Sequence, residues 1–564
     1  MQKITFNQNW RFKIKDPLAF LWDGAKPEGW RTLDLPHDWS IEGERRADNP
    51  SGNLGGYFPM GFGWYEKAFD APAEWQGKQV LIEFEGVFMN AEVSLNDHPF
   101  GLHPYGYTSF THNLTPYLRF DQPNKLRVSV DNSHPLNARW YSGSGIYRPV
   151  WLWVGNPLHI AHWGVYITTP QVSQKQADLK ILTRVQNQGE AAQSFELRSS
   201  LLDPLDEAAS LADTQTSLHL EAGSETQVEQ QISVRHPRLW SVEKPQMYTL
   251  RSEILLDGQV IDSTVTPFGI RSLEFSAKKG FLLNGRSIKL KGGCVHHDNG
   301  ILGAASYHRS EERKVELLKA SGFNAIRCAH NPPAPSFLDA CDRLGMLVID
   351  EAFDIWREGK NPGDYHLWFE DWWQRDLESM LLRDRNHPSI ILWSIGNELI
   401  ERGKPVGAEI AQKLATDVHR LDPTRPVTAA VCDGWNAWPW EQTDPFFAAL
   451  DIGGYNYQWK QYEADHKRCP NRLMAGTESV PKEALENWLL VEKHPYVLGD
   501  FVWTSMDYLG ESGIGRAGFE GELESFLPGY PWHQAYCGDL DLCGFKRPQS
   551  FYRDVVWGIW KKPY

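Results

Sequence analysis

Two glutamates stand where a fold of alternating strands and helices would place its chemistry. Ile390-Ile391-Leu392-Trp393 leads through Ser394-Ile395-Gly396 to Asn397-Glu398, and Leu473-Met474-Ala475-Gly476-Thr477 leads to Glu478. An uninterrupted apolar run of that length reads as a strand buried on both faces, and polar groups released at its C-terminal end belong to the working face of a parallel α/β fold. Either acid alone reads equally as a salt-bridged or capping carboxylate. Two of them at the mouth of one barrel point to glycoside hydrolysis, which needs one carboxyl protonated and one ionised.

A barrel is the element that would bring such ends together. From about Phe275 the strand candidates are Ile288–His297, Asn324–His330, Leu347–Phe353, Ile390–Glu398, Val427–Cys432, Asp451–Tyr457, Leu473–Glu478 and Val497–Thr504. Helical segments alternate with them at Ser310–Ala320, with Ser310 as its cap, Ser336–Leu344, Trp368–Arg383 and finally Ser550–Trp560. Strands alternating with helices over ~290 residues predict a (β/α)8 TIM barrel, here residues 274–564. Its strand ends supply the candidate site: Glu398 and Glu478 as catalysts, and His297, Asp298, His330, Asp350, Asn397, Tyr457 and Trp503 as substrate contacts. Glu351 reads as a brace for the wall.

The chain before the barrel has a different rhythm. Val80–Glu85, Ala91–Leu95 and Leu126–Val130 alternate with period two between turn clusters, which predicts an antiparallel sandwich over residues 1–156. A second set, including Leu179–Val185, Val228–Val234 and Tyr248–Ile254 before the Asp257-Gly258 turn, predicts an immunoglobulin-like β-sandwich over 157–273. The polar segment from Asp203 to Thr226 reads as loop and strand edge.

Composition narrows the function classes. A net charge of −15 argues against nucleic-acid binding, which needs clustered Lys and Arg. No apolar stretch approaches the ~20 residues of a membrane span, and Met1–Asn7 lacks a signal-peptide core, so a cytoplasmic protein without a membrane partner is expected. The seven cysteines are odd in number, begin at Cys294 and show no Cys-x-x-Cys spacing, so they predict neither disulfides nor a zinc ribbon. His296-His297 invites a metal-hydrolase reading, but neighbours in a strand point to opposite faces and cannot share one ion without a bend. His297 is taken as the pocket residue and His296 as lying behind the wall. The oligomeric state, a homo-oligomer included, is left open.

Three motifs then carry a resemblance: Leu35-Pro36-His37-Asp38-Trp39, Gly143-Ser144-Gly145-Ile146-Tyr147-Arg148-Pro149-Val150, and Asn386 through Glu398. The chain resembles glycoside hydrolase family 2, the β-galactosidase and β-glucuronidase family, along its whole length. The resemblance implies a jelly-roll sugar-binding domain first, Glu398 as acid/base, Glu478 as nucleophile, Asn397 on the sugar 2-hydroxyl and an oligosaccharide or glycoside substrate. It also implies that Arg139 reaches the pocket from domain one. Where metal-dependent members hold magnesium, this chain has Ile355 and Arg357, so no metal or other cofactor is expected. Asp507, in the long stretch after the eighth strand, resembles a hydroxyl acceptor of the galactosidase branch. No Asn-x-Lys pair for a sugar carboxylate occurs in the barrel, although Lys546 and Arg547 keep a β-glucuronidase or β-galacturonidase as the alternative. A noncatalytic carbohydrate-binding protein would have no need of both glutamates.

Overall fold

The computed structural model of the chain describes residues 1–14, 29–203, 206–434, 438–519 and 525–559. At the N-terminal end, strands Gln2–Thr5, Val150–Gly155, Gln79–Phe84 and Phe110–Asn113 form one antiparallel sheet. Strands Arg31–Leu33, Trp10–Ile14, Gly61–Phe69, Asn124–Asn132, Ala91–Leu95 and His98–His103 form another. Alternate residues of both sheets, among them Trp10, Ile82, Phe84, Val93, Val128 and Leu152, bury one shared core. Hydrophobic burial on one face and water on the other is what period-two patterning dictates.

The next sandwich pairs a three-stranded sheet, Leu158–Val172, Gln176–Asn187 and Ser224–Arg235, with a four-stranded one, Asp206–Leu220, Gln193–Asp203, Tyr248–Leu256 and Gln259–Phe268. Of the polar segment expected as loop and strand edge, most is an edge strand. Asp206–Leu220 pairs along Gln193–Asp203 at the sheet's edge. Leu220 is buried in the core, half-buried Ala212 and Leu218 pack against it, and the alternate residues Asp213, Gln215 and Ser217 face water. Ladder hydrogen bonds and a few apolar anchors on one face suffice for an edge strand.

The barrel closes with eight parallel strands in sequence order: β1 (Leu290–Val295), β2 (Ala325–Cys328), β3 (Leu347–Glu351), β4 (Ile390–Asn397), β5 (Val427–Val431), β6 (Ile452–Asn456), β7 (Leu473–Ser479) and β8 (Val497–Val502). Every residue of β4 and of β7 is buried, as strands covered on both faces require. The helix expected from Ser310 begins at His308 instead. Ser310 does not cap it: its hydroxyl donates to the Tyr307 carbonyl 2.7 Å away, while extended Tyr307 makes the turn into the helix. The last helix runs Pro548–Val556, and the expected end at Trp560 lies outside the described residues.

Candidate active site

The site is assembled on Arg327, a fully buried guanidinium in the middle of β2. Its Nε and Nη2 donate to the two oxygens of Glu351 at 3.0 and 2.8 Å, Nη2 also to Asn397 Oδ1 at 2.9 Å, and Nη1 to Glu478 Oε1 at 2.8 Å. One permanently charged fork thus fixes residues from β3, β4 and β7. Glu478 takes a second donor, the Tyr457 hydroxyl, at 2.7 Å on Oε2. Glu398 receives the Asn456 amide at 3.1 Å, and the same amide reaches Asn397 at 3.1 Å. Adjacent residues at the end of β6, Asn456 and Tyr457, therefore hold one acid each.

The local backbone serves this placement. Glu398 and Tyr457 are the residues that follow β4 and β6, and both adopt left-handed φ, 45° and 59°. Non-glycine residues pay roughly 1 kcal/mol for that conformation, so it persists where the surroundings hold it. Here the Glu398 N–H donates to Ala430 O at 2.8 Å and the Tyr457 N–H to Glu478 O at 2.7 Å.

Domain one supplies a wall. The Asp38 carboxylate accepts the Tyr141 hydroxyl at 2.5 Å and the N–H groups of Ser144 and of barrel residue Ala304, both at 2.8 Å. That anchor presents Arg139 and Trp140 to the barrel mouth. Arg139 grips Asp354 with two bonds of 3.1 and 2.8 Å and lies 3.8 Å from Glu398 Oε2. Lys360 donates to the same Asp354 at 2.7 Å and to the Asn397 carbonyl at 2.8 Å. Asp354 in turn accepts from Asn397 Nδ2 at 2.9 Å. An aromatic group lines the other side: Trp503 stacks on His330 with centroids 5.2 Å apart, and Trp140 and Tyr508 close on His296 at 5.0 and 4.2 Å.

Charge is uneven in this cleft. Burial and the neighbouring Glu398 carboxylate push the Glu478 carboxyl up to about 7, against the pull of Arg327 and Tyr457. Burial also opposes the Asp354 anion, but Arg139 and Lys360 overcome it and hold that carboxyl well below its ordinary range. His330 is kept neutral by burial and by Arg327. Its Nδ1 lies 2.8 Å from Glu351, and this pairing assigns the proton to Nδ1.

Two family models match the chain, "Glycosyl hydrolases family 2, TIM barrel domain" over residues 276–439 and "Glycosyl hydrolases family 2" over 158–271. Beta-galactosidase BoGH2A of Bacteroides ovatus is 38% identical over 99% of this chain and 72% of its own length. The chain belongs to glycoside hydrolase family 2. A putative beta-glucuronidase of Formosa agariphila is 32% identical across 98% of the chain, which spans 56% of that relative. A solved family 2 member from Bacteroides cellulosilyticus, 42% identical, superposes with a TM-score of 0.92 over 99% of this chain and 71% of its own. The Bacteroides uniformis beta-glucuronidase, at 26% identity, gives 0.81 over 99% of this chain and 69% of that one. The chain is accordingly a glycoside hydrolase.

Of the residues expected in this family 2 site, Glu398, Glu478, Asn397, His330, Tyr457, Trp503 and Arg139 converge as described. Four do not. His297 faces outward, with Nε2 3.2 Å from Ser142 O and its ring against Tyr107 and Tyr147, while His296 faces the cleft. Alternation is set by inward-facing Cys294, which lies against Arg327 and Thr477, so position 296 points in and 297 out. Asp298 pins the backbone N–H groups of Gly300 and Leu509. Asp350 is outside the barrel wall beside Asp384 and Arg383, because its neighbour Glu351 takes the inward position. Asp507 is bound by Arg547, by the Gly538 N–H at 2.8 Å and by Gln534, so it is not a free hydroxyl acceptor.

Arg327, Asp354, Lys360, Asn456 and His296 were not legible as site residues, although Arg327 left a signal. A guanidinium inside Ala325-Ile326-Arg327-Cys328 has no place in an apolar strand unless carboxylates meet it. At the compared metal positions, Ile355 is buried and Arg357 pairs outward with Glu370. Among the described residues, one trio brings three metal-type ligand atoms within 4.8 Å, Asp339, Asp342 and His387. It precedes β3 and β4, at the end of the barrel opposite the acids, and Asp342 already accepts from His387 and Ser389.

Proposed function

We propose that this enzyme is a retaining, exo-acting β-galactosidase that releases terminal non-reducing β-D-galactosyl units by double displacement. The observation that carries the mechanism is the donor set on Glu478, Arg327 on one oxygen and Tyr457 on the other. Arg327 and Tyr457 favour the anion on Glu478, against burial and the neighbouring Glu398. Turnover requires that anion together with a proton on Glu398, which accepts one amide donor and opens to the cleft. Glu478 attacks the anomeric carbon while Glu398 protonates the departing oxygen. Esterification removes the Glu478 charge, Glu398 then serves as the base for water, and two inversions retain the configuration. Asn397, held by Arg327 and Asp354, is assigned to the sugar 2-hydroxyl; His296, Trp140 and Trp503 are assigned to the glycone's faces.

The names of the relatives divide between galactosidase and glucuronidase, and charge favours the first. Arg139 and Lys360 are committed to Asp354, Arg327 to Glu351 and Glu478, Lys546 to Asp554 and Arg547 to Asp507. Glu511 adds another carboxyl near Arg139, raised by burial. A uronate would enter a cleft whose cations are already matched, at the cost of desolvation and repulsion. An aryl β-galactoside is expected to exceed the matching β-glucuronide and β-galacturonide in kcat/KM by at least ~100-fold, about 2.7 kcal/mol of discrimination. A better uronide would sink the galactosidase reading.

Metal independence belongs to the same proposal. Asp354 already holds two cationic side chains and Glu478 a third, which supports catalysis without a divalent ion at the acids. Turnover after prolonged chelation is expected to stay within a factor of about two, whereas a ~10-fold loss restored by magnesium would contradict it. A cytoplasmic setting is supported by the seven unpaired cysteines, which suit a reducing compartment. Among the described residues no helix is long and apolar enough to cross a membrane.

A further inference from the structure

On the side of the barrel away from the acids, a cavity of ≈ 830 Å³ lies between the second sandwich and the segments that lead into β1, β4 and β5. Its lining carries Lys180, Arg184, Arg271, Arg385, Arg420 and Arg425, with Glu378 the one acid among the described lining residues. In a chain of net charge −15 this is a local reversal of sign. A concave, low-dielectric wall of one sign concentrates counter-ions.

Matching each cation to its acid leaves a remainder. Lys180 pairs with Glu229 at 2.8 Å, Arg420 with Glu378 at 2.6 Å and Asp417 at 2.8 Å, and Arg425 with Asp422 at 2.5 Å. Arg271 spends its donors on the carbonyls of Pro388 and Ile390. Arg184 and Arg385 have no carboxylate partner among the described residues. Their hydrogen bonds are long ones to carbonyls, Arg184 to His162 at 3.4 Å and Arg385 to Trp163 at 3.3 Å, and the Nε of each is buried without a partner. Arg385 is further fixed with its guanidinium 4.5 Å over the Tyr166 ring. Burial pushes Arg385 down to about 10, with Tyr166 and Asp422 acting against it and the Arg184 charge adding a smaller push in the same direction. Two guanidiniums lining one cavity, one on sandwich strand Gln176–Asn187 and one at the C-terminal cap of barrel helix Phe369–Asp384, and both short of acceptors, form half of an ion-binding arrangement.

We propose that this cavity is an oxyanion site in which Arg184 of the sandwich and Arg385 of the barrel take a phosphate or sulfate group between them, clamping the two layers together. The group arrives either as the free ion or as an ester on a glycan. Neither arginine belongs to the catalytic cleft, so the site is separable from turnover.

Calorimetric titration of the full chain with inorganic phosphate, inorganic sulfate and galactose 6-sulfate, each at ionic strength matched with chloride, tests this. Saturable 1:1 binding is expected, weakened at least ~10-fold in Arg184→Gln and in Arg385→Gln through loss of charge-assisted bonds. Arg385→Lys should retain part of the affinity, and Glu478→Gln should bind as the parent does. Aryl galactoside turnover should be unchanged in Arg184→Gln, which also carries the test if Arg385→Gln fails to fold. Tighter binding of the ester than of either free ion assigns the source to a glycan, and the reverse to the free ion. Heats no larger than the chloride control, affinity that survives Arg184→Gln, or affinity lost in Glu478→Gln would each overturn the proposal.

Discussion

Glu478→Gln is expected to lower kcat on aryl β-galactosides by about four orders of magnitude or more, the scale of loss when a covalent nucleophile is removed. The substitution is nearly isosteric, and its amide oxygen can still accept from Arg327 or Tyr457, so the barrel should remain folded. What disappears is the anion that attacks carbon. A 2-deoxy-2-fluoro-β-galactoside should inactivate the parent enzyme, and peptide mapping should find the sugar on Glu478. The placement of Glu478 supports this: Arg327 is fully buried and permanently charged, and its bond of 2.8 Å favours the ionised carboxylate beside Tyr457. Label on Glu398 would reverse the two roles, and a variant retaining a tenth of the parent rate would remove Glu478 from the chemistry.

The strands of this site were readable because apolar runs bounded by polar ends have few other interpretations. All eight appear where the sequence puts them, shifted by no more than two residues at any end. The face a residue takes at a strand's end was harder. His296 and His297 both follow the last residue of β1, and only the inward contact of Cys294 with Arg327 tells which ring enters the cleft. Asp507 reads in sequence as one more polar group near the mouth, yet Arg547, 40 residues later, consumes it. Pairing across such separations leaves no local pattern. Arg327 is the opposite case, since its misfit within an apolar strand was visible and its partners were not.

The domain-one segment shows a further limit. Asp38 in the Leu35–Trp39 motif holds Tyr141 and Ala304 together, so a residue with no chemistry of its own sets the entry of Arg139 and Trp140. A motif of this kind registers as a pattern long before its job can be named. Its physical reason is the buried carboxylate, which needs several donors at once and finds them on three separate segments.

Glu398→Ala is expected to divide substrates by their leaving groups. A poorly activated glycoside needs its oxygen protonated as the bond breaks and should lose ~10³-fold in kcat/KM, whereas a dinitrophenyl galactoside should lose less than ~10-fold because its departing phenolate needs no proton. The pH profile should change with it. Burial and Glu398 push the Glu478 carboxyl up to about 7, so the nucleophile is neutral below that pH and ionised above it. Activity of the parent should therefore decline as pH falls through about 7. In Glu398→Ala the repelling neighbour is gone, so the Glu478 titration and the acid limb should move to lower pH. Equal losses on both substrates would show that Glu398 is not the proton donor, and an acid limb left near 7 in Glu398→Ala would show that Glu398 does not set the Glu478 titration.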